Sequence, residues 1–370
     1  MSSKLISQVE QARHDVFVDS YSQTWSDLLD QYRRKDVQVN PDYQRAFRWT
    51  IDQQSQYIES LLLSIPTPPI FMAEMEDGTF EIIDGLQRFS TILKFFSDEI
   101  FCDDLKSNVV AGGGENDVKV PTVLSEPPIL SGLAGLTKSN LPETLVRTVR
   151  YSRVQVTLIK RESSELSRYH VFTRLNRAGT VLSNQEIRNC SARLFNPDFA
   201  DKLMSIGADE RISKAMNLSD SDEKSMGVQE NLLRLLAFLN GKPQTQRIDE
   251  FLDSAMYLAA TGKIKFSKKI EDQIYRTFAA ISSEMPAGSA FRFPKGDTFK
   301  GAFSTNLFDI VACGVFNNID AIGSQRKGFI SKRINAMHKD PQVRALTGAG
   351  SNTRAKMMGR VEFGTNWFAK

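Results

Sequence analysis

The sequence predicts an α+β protein, with a small mixed sheet in its first half and an all-helical second half. Three observations carry this. The runs Ile70-Phe71-Met72-Ala73 and Phe80-Glu81-Ile82-Ile83 are apolar and joined through Glu76-Asp77-Gly78, a hairpin signal. Thr50-Ile51-Asp52-Gln53 and Ser183-Asn184-Gln185-Glu186 are capping boxes, in which side chains at the two ends satisfy the unbonded amides of a helix start. From residue 196 onward apolar residues recur at helical spacing almost throughout, as in Leu232, Leu233, Leu235, Leu236 and Leu239.

In chain order, residues 24–34 read as a short helix, and Asp36-Val37-Gln38-Val39-Asn40 alternates as a strand does until Pro41 ends it. Ile51, Ile58, Leu61, Leu62 and Ile65 mark an amphipathic helix that stops before Pro66. After the hairpin, Phe89, Ile92, Leu93 and Phe96 give a helix with one apolar face. Residues 103–140 carry the weakest pattern, with Ala111-Gly112-Gly113-Gly114-Glu115 as a loop. A helix over 141–149 precedes a half-buried strand at Val154, Val156 and Leu158, and a helix from Ser163 to Leu175 breaks at Asn176-Arg177-Ala178-Gly179. No strand is expected beyond this point. The chain divides into an N-terminal extension (1–21), a mixed domain (22–195) and a helical domain with a basic end (196–370).

No run of 18 or more apolar residues occurs and the first residues lack a signal-peptide pattern, so a cytoplasmic protein without a membrane segment is expected. Cys102, Cys190 and Cys313 are too scattered for zinc or a disulfide framework and read as core fillers. His14, His170 and His338 are too few for an HNH nuclease or a histidine-rich metal site. Neither a GxxxxGK[ST] loop nor a GxGxxG fingerprint is present, which disfavours P-loop and Rossmann readings. The net charge of +3 conceals an asymmetry, because residues 321–370 carry +8 and leave −5 on the rest. Such an end attracts polyanions or is simply a solvated helical surface.

The strongest constellation is Glu81-Ile82-Ile83-Asp84-Gly85-Leu86-Gln87-Arg88-Phe89-Ser90-Thr91, which reads strand, tight turn, helix start. Amides at a helix start together with the macrodipole favour an anion, and Gly85 permits close approach of the backbone. Arg88 offers a bidentate fork to phosphate, Ser90 a hydroxyl, and Asp84 a ligand for a metal ion or a partner for water. The alternative is that Asp84 caps the helix and Arg88 pairs with it. A second patch, Asn40-Pro41-Asp42-Tyr43-Gln44-Arg45-Ala46-Phe47-Arg48-Trp49, sets arginines among aromatics, which suits phosphate contact with base stacking or, equally, an aromatic anchor for a loop. A third, Phe172 to Gly179, sets Asn176 and Arg177 beside a ligand or is a plain corner between helices.

In this order, Pro41-Asp42-Tyr43-Gln44-Arg45 with Trp49, Ile65-Pro66-Thr67-Pro68-Pro69-Ile70, Ile83-Asp84-Gly85-Leu86-Gln87-Arg88, and Phe172-Thr173-Arg174-Leu175-Asn176 with Gly179, Ser183 and Glu186 resemble the GmrSD-type N-terminal domain. The resemblance implies a ParB/sulfiredoxin-like fold over about residues 22–195 and a nucleotide site linked to restriction of foreign DNA. Carried over residue by residue, it implies Asp84 and Arg88 as catalytic residues and Gly85, Gln87 and Ser90 at the phosphates, with Gln44, Arg45, Asn176 and Arg177 facing them. Leu86 stands where the family motif has Gln, which removes one amide and leaves hydrolysis less supported than binding. The implied ligand is an NTP with Mg2+, the metal on Asp84, and the implied reaction is attack of water on the γ-phosphate. Many family members append an HNH nuclease domain and this chain has no matching pattern, so DNA cleavage calls for a partner nuclease or other defence subunit. DNA is the expected target, with Arg354, Lys356 and Arg360 as a basic edge; a homo-oligomer is an open expectation. The competing readings are a non-enzymatic DNA-binding protein on the same scaffold and a nuclease acting through the ParB-like site itself.

Overall fold

The computed structural model describes residues 5–6, 9, 15–39, 47, 49–101, 118–164, 167–169, 171, 173–175, 183–193, 195–244, 247–295, 298–299, 301–348 and 350–369. The chain forms two compact units, Met1–Thr180 and Val181–Lys370.

In the first unit β1 (Val18–Thr24) leads directly into α1 (Trp25–Arg33), whose Thr24 cap accepts from Asp27 N while Asp27 returns the bond. Then come β2 (Val37–Gln38), α2 (Ile51–Leu62), β3 (Ile70–Glu74), β4 (Phe80–Asp84), α3 (Leu86–Phe95), α4 (Ser97–Ile100), α5 (Glu143–Tyr151) and β5 (Arg153–Ile159). The predicted hairpin is present as β3 and β4, with Gly78 at φ 82° in its turn. The predicted box at Thr50 and Gln53 starts α2.

The sheet is mixed, in the order β1-β5-β3-β4-β2. β1 pairs antiparallel with β5 along its whole length, although it begins inside the stretch read as an N-terminal extension. Only Val18 and Tyr21 of β1 are apolar, and an exposed edge strand needs no more. β3 is parallel to β5 and β2 parallel to β4, so β4 is flanked on both sides and ends with Asp84 beside the start of α3. Trp25, Leu28, Ile58, Phe89, Phe96, Ile70, Met72 and Val156 are all buried in the core of this unit. The weakly patterned region is irregular over 118–142, with short turns at Ser131–Leu133 and Lys138–Asn140. It is tied to buried polar groups of α2: Gln54 accepts from Thr122, Ser55 from Ser125 N, and Glu59 from Ile129 N and Leu130 N.

The second unit comprises α6 (Asn184–Arg193), α7 (Pro197–Gly207), α8 (Glu210–Met216), α9 (Asp220–Lys224), α10 (Gly227–Asn240), α11 (Ile248–Ala260) and α12 (Lys268–Glu284). After these come β6 (Pro294–Lys295), β7 (Thr298–Phe299), α13 (Thr305–Ile322), α14 (Phe329–Met337), α15 (Pro341–Thr347) and α16 (Arg354–Phe368). The expectation of an all-helical second half is corrected by β6 and β7, whose two residues each are too short to show alternation. The predicted box at Ser183 and Glu186 is formed in both directions. One core runs through the unit and holds Cys313; Cys190 is also buried and both are free thiols, as expected of fillers, while Cys102 lies outside the described residues. α13 and α16 cross closely, since a Cβ at Gly364 would fall on the Ile310 carbonyl. Among the described residues no helix is long and apolar enough to cross a membrane.

Candidate functional site

β4 runs into a turn that a side chain would obstruct. Gly85 sits at φ 97°, in the left-handed region, and an added Cβ would collide with Ile70 Cδ1 and lie 2.8 Å from Arg88 Nη2. Gly85 is the N-cap of α3 and therefore supplies no side chain to the helix start, whose first turn also lacks an acid. At this end Phe89 N donates to Gly85 O at 3.0 Å, the bond that opens α3. An uncapped helix start with its macrodipole is a favourable place for an anion.

Arg88 is anchored one turn into α3. Its Nη2 donates to Pro69 O at 2.9 Å and lies 3.4 Å from Asp84 Oδ2, too long for a tight pair. Its Nε is buried without a hydrogen bond. The side chains of Arg88 and Asp84 remain 14% and 21% exposed, so both stay within reach of a ligand. The alternative reading is thus half met: Arg88 faces Asp84, but Asp84 does not cap α3. Among the described residues no three His, Cys, Asp or Glu side chains converge on a metal-sized site. Asp84 alone still fits Mg2+, which is commonly held by one or two carboxylates with phosphate oxygens and water completing its octahedron.

The second sequence patch meets this turn. Trp49 N donates to Gln87 Oε1 at 3.1 Å, and Trp49 O accepts from Gln54 Nε2 at 2.9 Å. Phe47 is buried and acts as an aromatic anchor, while the half-buried Trp49 ring packs edge-to-face on Tyr57. Gln87 therefore holds the neighbouring segment rather than offering its carbonyl oxygen to a ligand. Ser90 and Leu86 are both buried on α3. Gln44, Arg45, Asn176 and Arg177 lie outside the described residues.

Two contributors escaped the sequence reading. The Pro69 carbonyl orients Arg88, and Tyr57 lies behind it with a buried hydroxyl that makes no well-formed hydrogen bond. Burial pushes the Tyr57 phenol up, partly offset by the Arg88 charge and the Thr67 hydroxyl. The proline-rich stretch was visible as a motif, but nothing in it announces a carbonyl as the useful group. Cavities of about 480 Å³, lined in part by Tyr32, Lys35 and Phe101, and about 330 Å³, between α10 and α11, lie away from the turn and touch neither Asp84 nor Arg88.

The expected basic edge is corrected at Arg360. That residue is fully buried, with Nε bonded to Asp309 Oδ2 at 2.9 Å and Nη1 to Ser351 O at 2.6 Å. Arg234 binds the other side of Asp309, making a buried Arg-Asp-Arg triad that joins α10, α13 and α16. Charge alone did not distinguish this core cation from a surface one. Arg333 stacks over Trp367, whereas Arg354 is exposed and Lys356 half-buried.

Residues 25–192, somewhat less than half of the chain, match the family model described as the GmrSD restriction endonuclease, N-terminal domain. No curated protein and no solved structure matches the chain.

Proposed function

With a GmrSD-like region over residues 25–192 as the premise, we propose that this protein is a nucleotide-binding component of a restriction or phage-defence system and binds phosphates at Asp84-Gly85-Leu86-Gln87-Arg88. The observation that carries the reading is the start of α3: uncapped, entered through a left-handed Gly85, and flanked by an anchored Arg88 with its Nε unbonded. Arg88 and the amides of the helix start hold phosphate oxygens, and charge-assisted bonds of this kind are about twice as strong as neutral ones. Asp84 is the group that would hold Mg2+, which when bound neutralises phosphate charge and lowers the pKa of its water. Without the metal, the same carboxylate orients a water by hydrogen bonding. The five-stranded mixed sheet is the scaffold we ascribe to a ParB/sulfiredoxin-like fold. Hydrolysis ranks behind binding, because Leu86 and Gln87 both serve packing, and DNA cleavage is assigned to a nuclease partner.

The test is NTP hydrolysis by the full chain with Mg2+, compared with Asp84→Ala and Arg88→Ala of unchanged circular dichroism. Loss of turnover in both supports a hydrolytic site. A rate unchanged in both eliminates it.

A second reading is favoured by a separate observation. Arg326, Lys327, Lys332, Lys339, Arg344 and Arg354 are exposed in the C-terminal region, a distribution suited to a DNA backbone. Phosphate contacts release counterions, so DNA affinity that does not fall between low and moderate salt excludes this role.

A further inference from the structure

Trp49 is held differently from the other two tryptophans. Trp25 is fully buried, and Trp367 is stacked on Phe363 and covered by Arg333. Trp49 is half-buried, and its ring contact among the described residues is the edge-to-face packing on Tyr57, with centroids 5.6 Å apart. Its backbone, in contrast, is fixed on both sides, N–H by Gln87 of α3 and C=O by Gln54 of α2. A large ring on a clamped backbone loses little freedom when something packs against it. The next residue inward is Tyr57, only 6% exposed, and the bond from Trp49 N to Gln87 ties this segment to the residue that precedes Arg88 on α3. A half-buried aromatic ring is thereby held at the start of α3 through Gln87.

Resting on the reading of Asp84–Arg88 as the phosphate site, we infer that Trp49 is the platform on which the base of a bound nucleoside triphosphate stacks. The ligand class is then a nucleotide rather than inorganic phosphate or a polyphosphate. Stacking on an indole tolerates every base, because each has a π-face, so the platform sets nucleotide against polyphosphate and not one base against another. Gln87 links the two functions: its side chain positions Trp49 while its main chain belongs to the helix start that meets the phosphates.

The experiment is calorimetric titration of the full chain, with Mg2+ present, using ATP, GTP and CTP on one side and inorganic tripolyphosphate on the other. The wild type is expected to bind each nucleotide roughly 5- to 150-fold more tightly than tripolyphosphate, the range for one stacked base. Trp49→Ala is expected to collapse that ratio toward one, and Trp49→Phe, which keeps an aromatic face, to restore most of it. Nucleotides and tripolyphosphate binding equally to the wild type, or a ratio that survives Trp49→Ala, overturns the platform and leaves the phosphate site standing. Loss of tripolyphosphate binding along with nucleotide in Trp49→Ala makes Trp49 a packing residue and likewise overturns it. Failure of the wild type to bind either ligand overturns the phosphate reading itself.

Discussion

Replacing Gly85 by alanine tests whether the turn is built as described, and its cost can be worked from two contributions. Gly85 lies at φ 97°, and holding an L-residue in the left-handed region costs about 1–2 kcal/mol. The new Cβ would also collide with Ile70 Cδ1 and crowd Arg88 Nη2 at 2.8 Å. Ile70 is fully buried between neighbouring strands and has nowhere to retreat, so overpacking adds about 1–3 kcal/mol. The reduced entropy of the unfolded chain returns about 0.4–1 kcal/mol, leaving a net loss of about 2–4 kcal/mol. Gly78 is the internal control: its φ is 82°, yet a Cβ there meets nothing within 4 Å. Gly78→Ala should therefore cost only about 1 kcal/mol, the conformational part alone. Denaturant unfolding followed by tryptophan fluorescence in a Trp367→Phe background reads the first unit, where Trp25 packs on Phe89 of α3. A midpoint shift for Gly85→Ala at least twice that for Gly78→Ala is expected. Equal shifts would refute the close approach of Ile70 and Arg88 to the turn.

Other parts of the molecule give independent checks. In the first unit burial works against the Glu99 carboxylate, but hydrogen bonds from Arg150 and Lys138 outweigh it and hold its pKa below the ordinary 4.5. A depressed folded pKa gives stability that is present above the unfolded value and lost as pH falls through the folded one, so acidification below about pH 4.5 should weaken this unit and Glu99→Gln should flatten that slope in pH-dependent denaturation. In the second unit Asp309→Asn removes the charge shared by buried Arg234 and Arg360, and breaking a buried pair costs about 3–5 kcal/mol, measurable as a lower unfolding midpoint in Trp367 emission.

What the sequence disclosed depended on whether the determining interaction was local. The β3–β4 hairpin and the starts of α2 and α6 were legible because alternation and capping act within a few residues. β1 was not, because Val18-Asp19-Ser20-Tyr21-Ser22-Gln23-Thr24 satisfies an exposed edge with hardly any apolar signal and is selected by its pairing with distant β5. The same division runs through the site. Asp84, Gly85 and Arg88 stood out as strand, turn and helix start, but the bonds that orient them join Arg88 to Pro69 and Gln87 to Trp49 across 19 and 38 residues. Arg360 misled because a basic run looks alike on either side of a helix. The overlooked signal was Asp309, a carboxylate set between Phe308 and Ile310 on the apolar face of its helix, which required cations to be buried with it.

The central claim is that the start of α3 and Arg88 form a phosphate site. Direct titration of the full chain with ATP and Mg2+, comparing wild type with Arg88→Ala, tests it most plainly. Removing a charge-assisted bond of about 1.5–3 kcal/mol predicts roughly 10- to 150-fold weaker binding in the variant, with its thermal unfolding still cooperative. Equal affinity in the two proteins, or no binding by the wild type, would contradict the account.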